Sequence, residues 1–332
     1  MLNGKTILIT GGTGSFGKRC CAEILQRYSP EKVIVFSRDE LKQSEMAAEP
    51  LFRKSNKLRF FLGDVRDKER LVRAMTEVDY IIHAAALKQV PAAEYNPHEF
   101  IKTNINGAMN VVDAALQVGI KRVIALSTDK AVNPINLYGA TKLCSDKIFI
   151  AGNSYSGKKG ARFSVVRYGN VIGSRGSVIP IFLKQKEQGK LTVTKPEMTR
   201  FIISIGEGVK FALDSLKDMV GGEIFIPKLP SCSIGDLAQA IAPNCEIETI
   251  GLRPGEKLHE ALIPSDEALH TIEQKDRYII HPSNPYWDYD NAKHKGAICE
   301  EGFFYDSLNN PRHLSVPEIE AMVQQFQQSL LD

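Results

Sequence analysis

Short apolar runs recur through the first half of the chain, at 6–9, 33–36, 58–62, 80–82 and 123–126. Apolar residues in these runs follow one another instead of alternating with polar ones, the pattern of strands buried on both faces. Between them lie longer segments, 18–28, 68–75 and 107–118, whose apolar positions return every three or four residues and predict amphipathic helices. A sixth run at 163–166 follows a helix predicted to start near Tyr138. Strands separated by helices imply a parallel sheet covered on both sides, wound by right-handed crossovers.

The predicted fold is therefore α/β, a doubly wound parallel sheet of the Rossmann type over residues 1–170. Beyond about 170 glycine and proline become frequent, and short strands such as 223–226 replace the regular beat. Residues 171–332 are expected to form mainly a smaller lobe over the sheet's C-terminal edge, with returns to the sheet allowed and an irregular tail from about 282. Composition changes this picture little: 332 residues, 43% apolar and 24% charged, are those of an ordinary globular protein. The 42 basic and 39 acidic residues nearly cancel, and no dense basic stripe marks a nucleic-acid partner. Six cysteines match no metal or CxxC spacing, so they read as small buried thiols in a reducing compartment. With no signal-like start and no run of eighteen apolar residues, the expected setting is the cytoplasm, away from the membrane.

The first strand ends in TGGTGSFG at 10–17 and a helix follows at once. Gly11, Gly14 and Gly17, with Thr13, Ser15 and Phe16 between them, meet the needs of a dinucleotide loop. Those needs are a tight turn, close backbone approach to a pyrophosphate, and close helix–strand packing. A purely structural turn is the alternative. The second strand ends in Ser37, Arg38, Asp39 and Glu40, with Lys42 one helical turn on. A cationic fork there suits a 2′-phosphate, which favours NADP over NAD. In the alternative Arg38 is solvated and Asp39 holds the ribose. Asp64, before Val65, falls where an adenine would lie, or caps a helix. The fourth strand closes with His83, which reads as a packing residue, and small residues including Ala84 and Ala86; Lys88 is within reach of cofactor or substrate.

After the fifth strand come Ser127, Thr128, Asp129 and Lys130, then Tyr138 and Lys142. Four residues apart, Tyr138 and Lys142 share one helix face. A phenol is a poor base near neutrality, and a neighbouring ammonium lowers its pKa by favouring the phenolate. Lys142 is expected to do this and to bind the nicotinamide ribose. Asp129 and Lys130 sit at the strand end; a turn or cap role is open for Asp129.

These motifs, with SRDELKQSEM, GDVRD, HAAALKQVP, STDKAVNPINLYGATK, VVRYGNVIGSRGSVIP, MTRF and RPGEKLHE, resemble the extended short-chain dehydrogenases/reductases that act on nucleotide sugars. Within them the chain most resembles the inverting UDP-N-acetylglucosamine 4,6-dehydratases, the family that opens pseudaminic acid biosynthesis. The likeness covers about 3–265 and is loose beyond. It implies a reaction in which C4 is oxidised, C5 deprotonated, water lost from C6, and the hydride returned to C6. Tyr138 would take the 4-hydroxyl proton, Lys130 would be the C5 base, Asp129 the acid for the departing hydroxyl, and Thr128 part of the same set. An exposed lysine is a poor base, so a lowered Lys130 pKa is expected. Thr103 and Asn104 join the implied cofactor set.

The UDP-sugar is expected in the second lobe, held by Lys88, Asn170, Val171, Arg175, Ser177, Thr199, Arg200, Arg253 and Glu256. Guanidinium groups suit a diphosphate, with a structural salt bridge the alternative for each arginine. No metal is needed. The resemblance also implies a homo-oligomer, dimer or hexamer, with helices at 97–118 and 138–151 available to pack between subunits. A nucleotide-sugar 4-epimerase is the rival of the same fold, but it has no use for a C5 base and C6 acid. A non-catalytic dinucleotide-sensing module is the rival of another class, and would be expected to lack the Tyr/Lys pair.

Overall fold

The computed structural model describes residues 1–157, 160–174, 176–283 and 285–328. The six apolar runs form strands: β1 Thr6–Thr10, β2 Lys32–Ser37, β3 Leu58–Leu62, β4 Tyr80–His83, β5 Arg122–Leu126 and β6 Arg162–Val166. They lie in the order β3-β2-β1-β4-β5-β6, every neighbouring pair parallel. β1 is central and buried at all five positions, which is why its sequence TILIT shows no alternation. The strand order reverses between β1 and β4, opening a crevice beyond the strands' C-terminal ends, where open α/β sheets take ligands. This is the doubly wound sheet expected from the pattern.

The sheet continues past β6. Ile224–Pro227 joins parallel to β6, one residue later than the strand read at 223–226, and Arg277–Ile280 pairs antiparallel with it. Thr271–Glu273 and Ala297–Ile298 complete ten strands. Residues well beyond 170 thus build part of the large sheet.

A second core lies in the later part of the chain. β7 (Asn170–Val171) pairs with Thr199–Ile203, which pairs in turn with Ser231–Ser233. Ile172, Phe182, Leu191, Leu237 and Ile319 pack together beneath them. Ile319 and Val323 come from a helix, Val316–Gln328, so the tail expected to be irregular from about 282 includes an ordered element. Burying an isoleucine fully, as at Ile319, stabilises by roughly 1.5–3 kcal/mol.

The single helix expected over 97–118 is broken into Pro97–Phe100, a π-helical turn Ile101–Asn106, and Gly107–Val118. The wide turn takes Thr103 and Asn104 into the interior, both buried; such turns often mark functional positions. Four cysteines, Cys20, Cys21, Cys232 and Cys299, are buried as expected; Cys144 is exposed and Cys245 half-buried. Among the described residues, no helix is long and apolar enough to cross a membrane.

Candidate active site

The glycine loop and the ends of β2, β3 and β4 enclose a cavity of about 280 Å³. Among the residues read as cofactor-binding, Gly11, Thr13, Gly14, Ser37, Arg38, Asp39, Lys42, Asp64, Val65, Ala84, Ala86 and Thr103 line it. Phe36, Gly63 and Ala85 line it too. They flank predicted residues at the same strand ends, a signal that the motif reading passed over. Ser15, Phe16, Gly17, Glu40, Lys88, Asn104, Tyr138 and Lys142 do not line this cavity.

Why these residues make a cradle follows from the backbone. Gly11 has φ +66°, and a Cβ there would sit 2.9 Å from the Ala85 backbone. A Cβ on Gly17 would lie 2.5 Å from the Gly12 Cα, so Gly17 lets helix α1 (Ser15–Arg27) press on the loop. Gly14 is the N-cap of α1 and offers no side-chain cap, and no acidic residue occupies the first turn. Those N–H groups and the positive end of the helix dipole are suited to a pyrophosphate. The cradle fits a dinucleotide.

At the ribose end the polar groups are already paired. Asp39 caps helix α2 (Glu40–Ala48) by accepting from the Lys42 N–H at 3.0 Å, and its carboxylate meets the Lys42 ammonium at 2.5 Å. Bonding to Lys42 lowers the pKa of the exposed Asp39. Arg38 lies 3.5 Å from Asp64 and is half exposed. Ser37 Oγ accepts from Gln43 at 3.0 Å. The helix-cap alternative for Asp64 is overturned: Asp67 caps the Lys68–Met75 helix, and Asp64 accepts from the Arg66 N–H at 3.0 Å. His83 is buried, bonded to Thr10 Oγ1 at 2.9 Å and packed against Phe149, so it is a packing residue. Asn104 clamps the following loop, accepting from the Leu87 N–H at 2.9 Å and donating to Thr141 Oγ1 at 3.0 Å.

Tyr138 lies in the first turn of the Leu137–Gly152 helix, which Asn136 caps through the Gly139 N–H at 2.8 Å. Lys142, one turn on, is buried and donates to the Leu126 carbonyl at 2.8 Å. Burial lowers the Lys142 pKa, with Asp146 on the next turn opposing. The expected depression of Tyr138 by Lys142 is not found. Burial pushes the phenol up to about 12, and the groups that pull it down are Lys130 and the hydrogen-bonding Thr128. The reason is positional: the Lys142 ammonium is tied to the end of β5.

Asp129–Ala131 forms a short 3-10 turn capped by Thr128, so of the turn-or-cap alternative for Asp129 the cap falls and the turn is found. Asp129 is fully buried; its N–H donates to the Tyr168 carbonyl at 3.2 Å and its Oδ1 accepts from Thr128 Oγ1 at 2.9 Å. The Lys130 ammonium sits 3.1 Å from Asp129 Oδ1 and 3.3 Å from Glu260 Oε1. Burial works against that charge, but the two carboxylates outweigh it, and the Lys130 pKa is raised where the sequence led us to expect it lowered. Glu260, buried and delivered by the RPGEKLHE segment, was not among the predicted site residues. Its motif was legible, but its partner was not.

The sugar-side candidates divide. Asn170 Oδ1, Ser177 Oγ and Glu256 Oε2 are buried and have no hydrogen-bond partner among the described residues. Val171 pairs in β7 opposite Ile203. Lys88 lies 3.4 Å from Ser174 Oγ. Arg200 is otherwise engaged: its guanidinium donates to the Thr199, Leu258 and Lys257 carbonyls at 2.7, 3.1 and 3.0 Å, bracing the loop instead of presenting a fork. Thr199 Oγ1 is held inside by His259 and Ser307 at 2.8 and 2.7 Å. Arg253 is exposed, 3.8 Å from Glu256. Arg175 lies outside the described residues. No group of three or more His, Cys, Asp or Glu arranged to hold a metal occurs among the described residues.

Residues 7–282 match the polysaccharide biosynthesis protein family. The chain is 56% identical over 327 residues to the inverting UDP-N-acetylglucosamine 4,6-dehydratase of Campylobacter jejuni subsp. jejuni serotype O:23/36 (strain 81-176), covering 96% of this chain and 97% of that one. It is 40% identical to the UDP-glucose 4-epimerase of Rickettsia conorii, over 96% of this chain and 95% of that one. In structure it resembles Pen from Bacillus thuringiensis, with TM-score 0.89, 38% identity, and 98% and 99% of the two chains covered. A crevice at the sheet's switch point, a glycine cradle and a cluster of Asp129, Lys130 and Tyr138 accompany these likenesses, and the chain belongs to the polysaccharide biosynthesis protein family.

Proposed function

We propose that the protein is an inverting 4,6-dehydratase of UDP-N-acetylglucosamine that yields UDP-2-acetamido-2,6-dideoxy-β-L-arabino-hex-4-ulose. The observation that carries this reading is the ion pair of the half-buried Lys130 with the fully buried Asp129, beside Tyr138 at the end of β5. The 56% identity to a curated inverting dehydratase supports it. A 4-epimerase needs the tyrosine but has no task for that pair.

A nicotinamide dinucleotide bound in the glycine cradle supplies a hydride acceptor at C4 and a donor at C6. Tyr138 takes the proton of the 4-hydroxyl as C4 is oxidised, an event its raised pKa makes dependent on the nearby Lys130 charge. The 4-ketone acidifies the C5 hydrogen, and Lys130 removes it. Asp129 gives a proton to the hydroxyl leaving C6. Thr128 holds Asp129 and Tyr138 in place. Lys142, fixed at the Leu126 carbonyl, is assigned to the nicotinamide ribose. Asn170, Ser177 and Glu256, with their unused polar atoms, are assigned to the sugar nucleotide.

NADP is the proposed cofactor, because Arg38 and Lys42 border the cavity while Asp39 is engaged as a helix cap. Titration with both dinucleotides tests this; NAD binding as well as or better than NADP contradicts it. A homo-oligomer, a cytoplasmic setting and a place in pseudaminic acid biosynthesis belong to the same proposal. The role of Lys130 is tested with substrate deuterated at C5: Lys130→Ala is expected to release deuterium at least about a hundredfold more slowly. Release at the normal rate overturns the assignment.

A further inference from the structure

Lys130 presents a difficulty that its surroundings resolve. A base must be free of its proton, yet its ammonium lies between two buried carboxylates, 3.1 Å from Asp129 and 3.3 Å from Glu260. In the proposed reaction Asp129 carries a proton for the C6 oxygen, which leaves Glu260 as the remaining carboxylate facing Lys130. Glu260 is 2% exposed and rigidly mounted: its N–H donates to Ser307 Oγ at 3.0 Å, and its carbonyl accepts from the Ser307 N–H at 2.8 Å.

A buried carboxylate oxygen without a hydrogen bond is costly, a condition Glu260 shares with Asp129 Oδ2 and Asp146 Oδ1. Glu260 Oε2 has no hydrogen-bond partner among the described residues. The second cation near it, Lys257, stands 3.8 Å away and donates instead to the Val132 carbonyl. We propose that Glu260 is a positioning residue for Lys130 that takes up the lysine's proton within the closed site, a role that rests on the dehydratase reading.

The step balances. A Lys130 N–H bond breaks and a Glu260 O–H bond forms, turning an ammonium–carboxylate pair into an amine and a carboxylic acid. The amine's lone pair then takes the C5 proton, the C5–H electrons pass into the enolate of the 4-ketone, and their return expels the C6 hydroxyl. No charge leaves the site and no proton must reach water. The groups facing Lys130 come from every element around it: Asp129 and Tyr138, Glu260 with Lys257 behind it, Arg200, and Lys88 after β4. The cations among them oppose the Lys130 charge, while Asp129 and Glu260 hold it as long as both are ionised.

The test measures loss of deuterium from C5-labelled UDP-N-acetylglucosamine in single turnover between pH 6 and 9. With internal transfer to Glu260, the wild-type rate is expected to vary little with pH. In Glu260→Gln, whose amide keeps the size but cannot take the proton, the rate at pH 7 is expected to fall at least about a hundredfold and to climb about tenfold per pH unit. Glu260→Asp is expected to restore the flat profile in part, and thermal unfolding and substrate affinity confirm that each variant is folded. A folded Glu260→Gln protein with a flat profile near the wild-type rate overturns the proposal. So does a loss that Glu260→Asp shares in full with no change of profile. Failure of the wild-type protein itself to release C5 deuterium contradicts the dehydratase reading instead, so the two failures are distinguishable.

Discussion

At the scale of single residues, identity was easier to read than charge state. The tyrosine, the two lysines and the aspartate were visible as a spaced set, and the structure brings Asp129, Lys130 and Tyr138 together. Their pKa directions ran against expectation because burial and partners fixed by the fold decide them: burial raises Tyr138, and Asp129, joined by Glu260 from far along the chain, raises Lys130. His83 shows the same dependence in a stabilising role. Burial, aided by Lys142, lowers its pKa from 6.5 to about 3, so the folded protein keeps it neutral. As pH falls below 6.5 the unfolded chain gains a proton there that the folded chain refuses. Stability is therefore full above that pH and is lost below it, by up to about 1.4 kcal/mol per pH unit. Denaturant unfolding of wild type and His83→Gln between pH 7 and 4.5 checks this: the wild type is expected to lose stability more steeply, and equal slopes contradict it.

At the scale of elements, the strands were legible because burial on both faces leaves an unbroken apolar run. The glycine loop was legible because its constraint is steric and local. Gly17→Ala is expected to force α1 off the loop, since the new Cβ would meet the Gly12 Cα at 2.5 Å. The expected cost is about 1–3 kcal/mol of stability, with dinucleotide affinity falling more than tenfold. Calorimetric titration and thermal unfolding measure both, and unchanged binding would remove the loop from the site. The π-turn at Ile101–Asn106 left no comparable trace. Nothing in IKTNIN breaks a helix, and the turn is stabilised by what Asn104 reaches, the Leu87 loop and Thr141. Likewise, Arg200 looks like a phosphate ligand in sequence and is a brace in the fold, because only the fold shows three carbonyls waiting for its guanidinium.

At the scale of the whole molecule, the chain assembles its site from far-apart segments. The sheet gives the cradle and the strand ends, and the segment at 253–260 closes over Lys130 from the side of the second core. Beyond the boundary read at 170, later strands return to the large sheet. Near-neutral total charge fits the proposed arrangement, in which a few placed cations and one helix N-terminus would serve two phosphorylated ligands. The account's central claim is dehydration with inversion, and one measurement tests it most directly: NMR of the product formed from UDP-N-acetylglucosamine in D₂O. The account predicts a 6-deoxy-4-keto sugar carrying solvent deuterium at C5 in the L-arabino configuration. A product that keeps its C6 oxygen, differs only at C4 and carries no deuterium at C5 would contradict it.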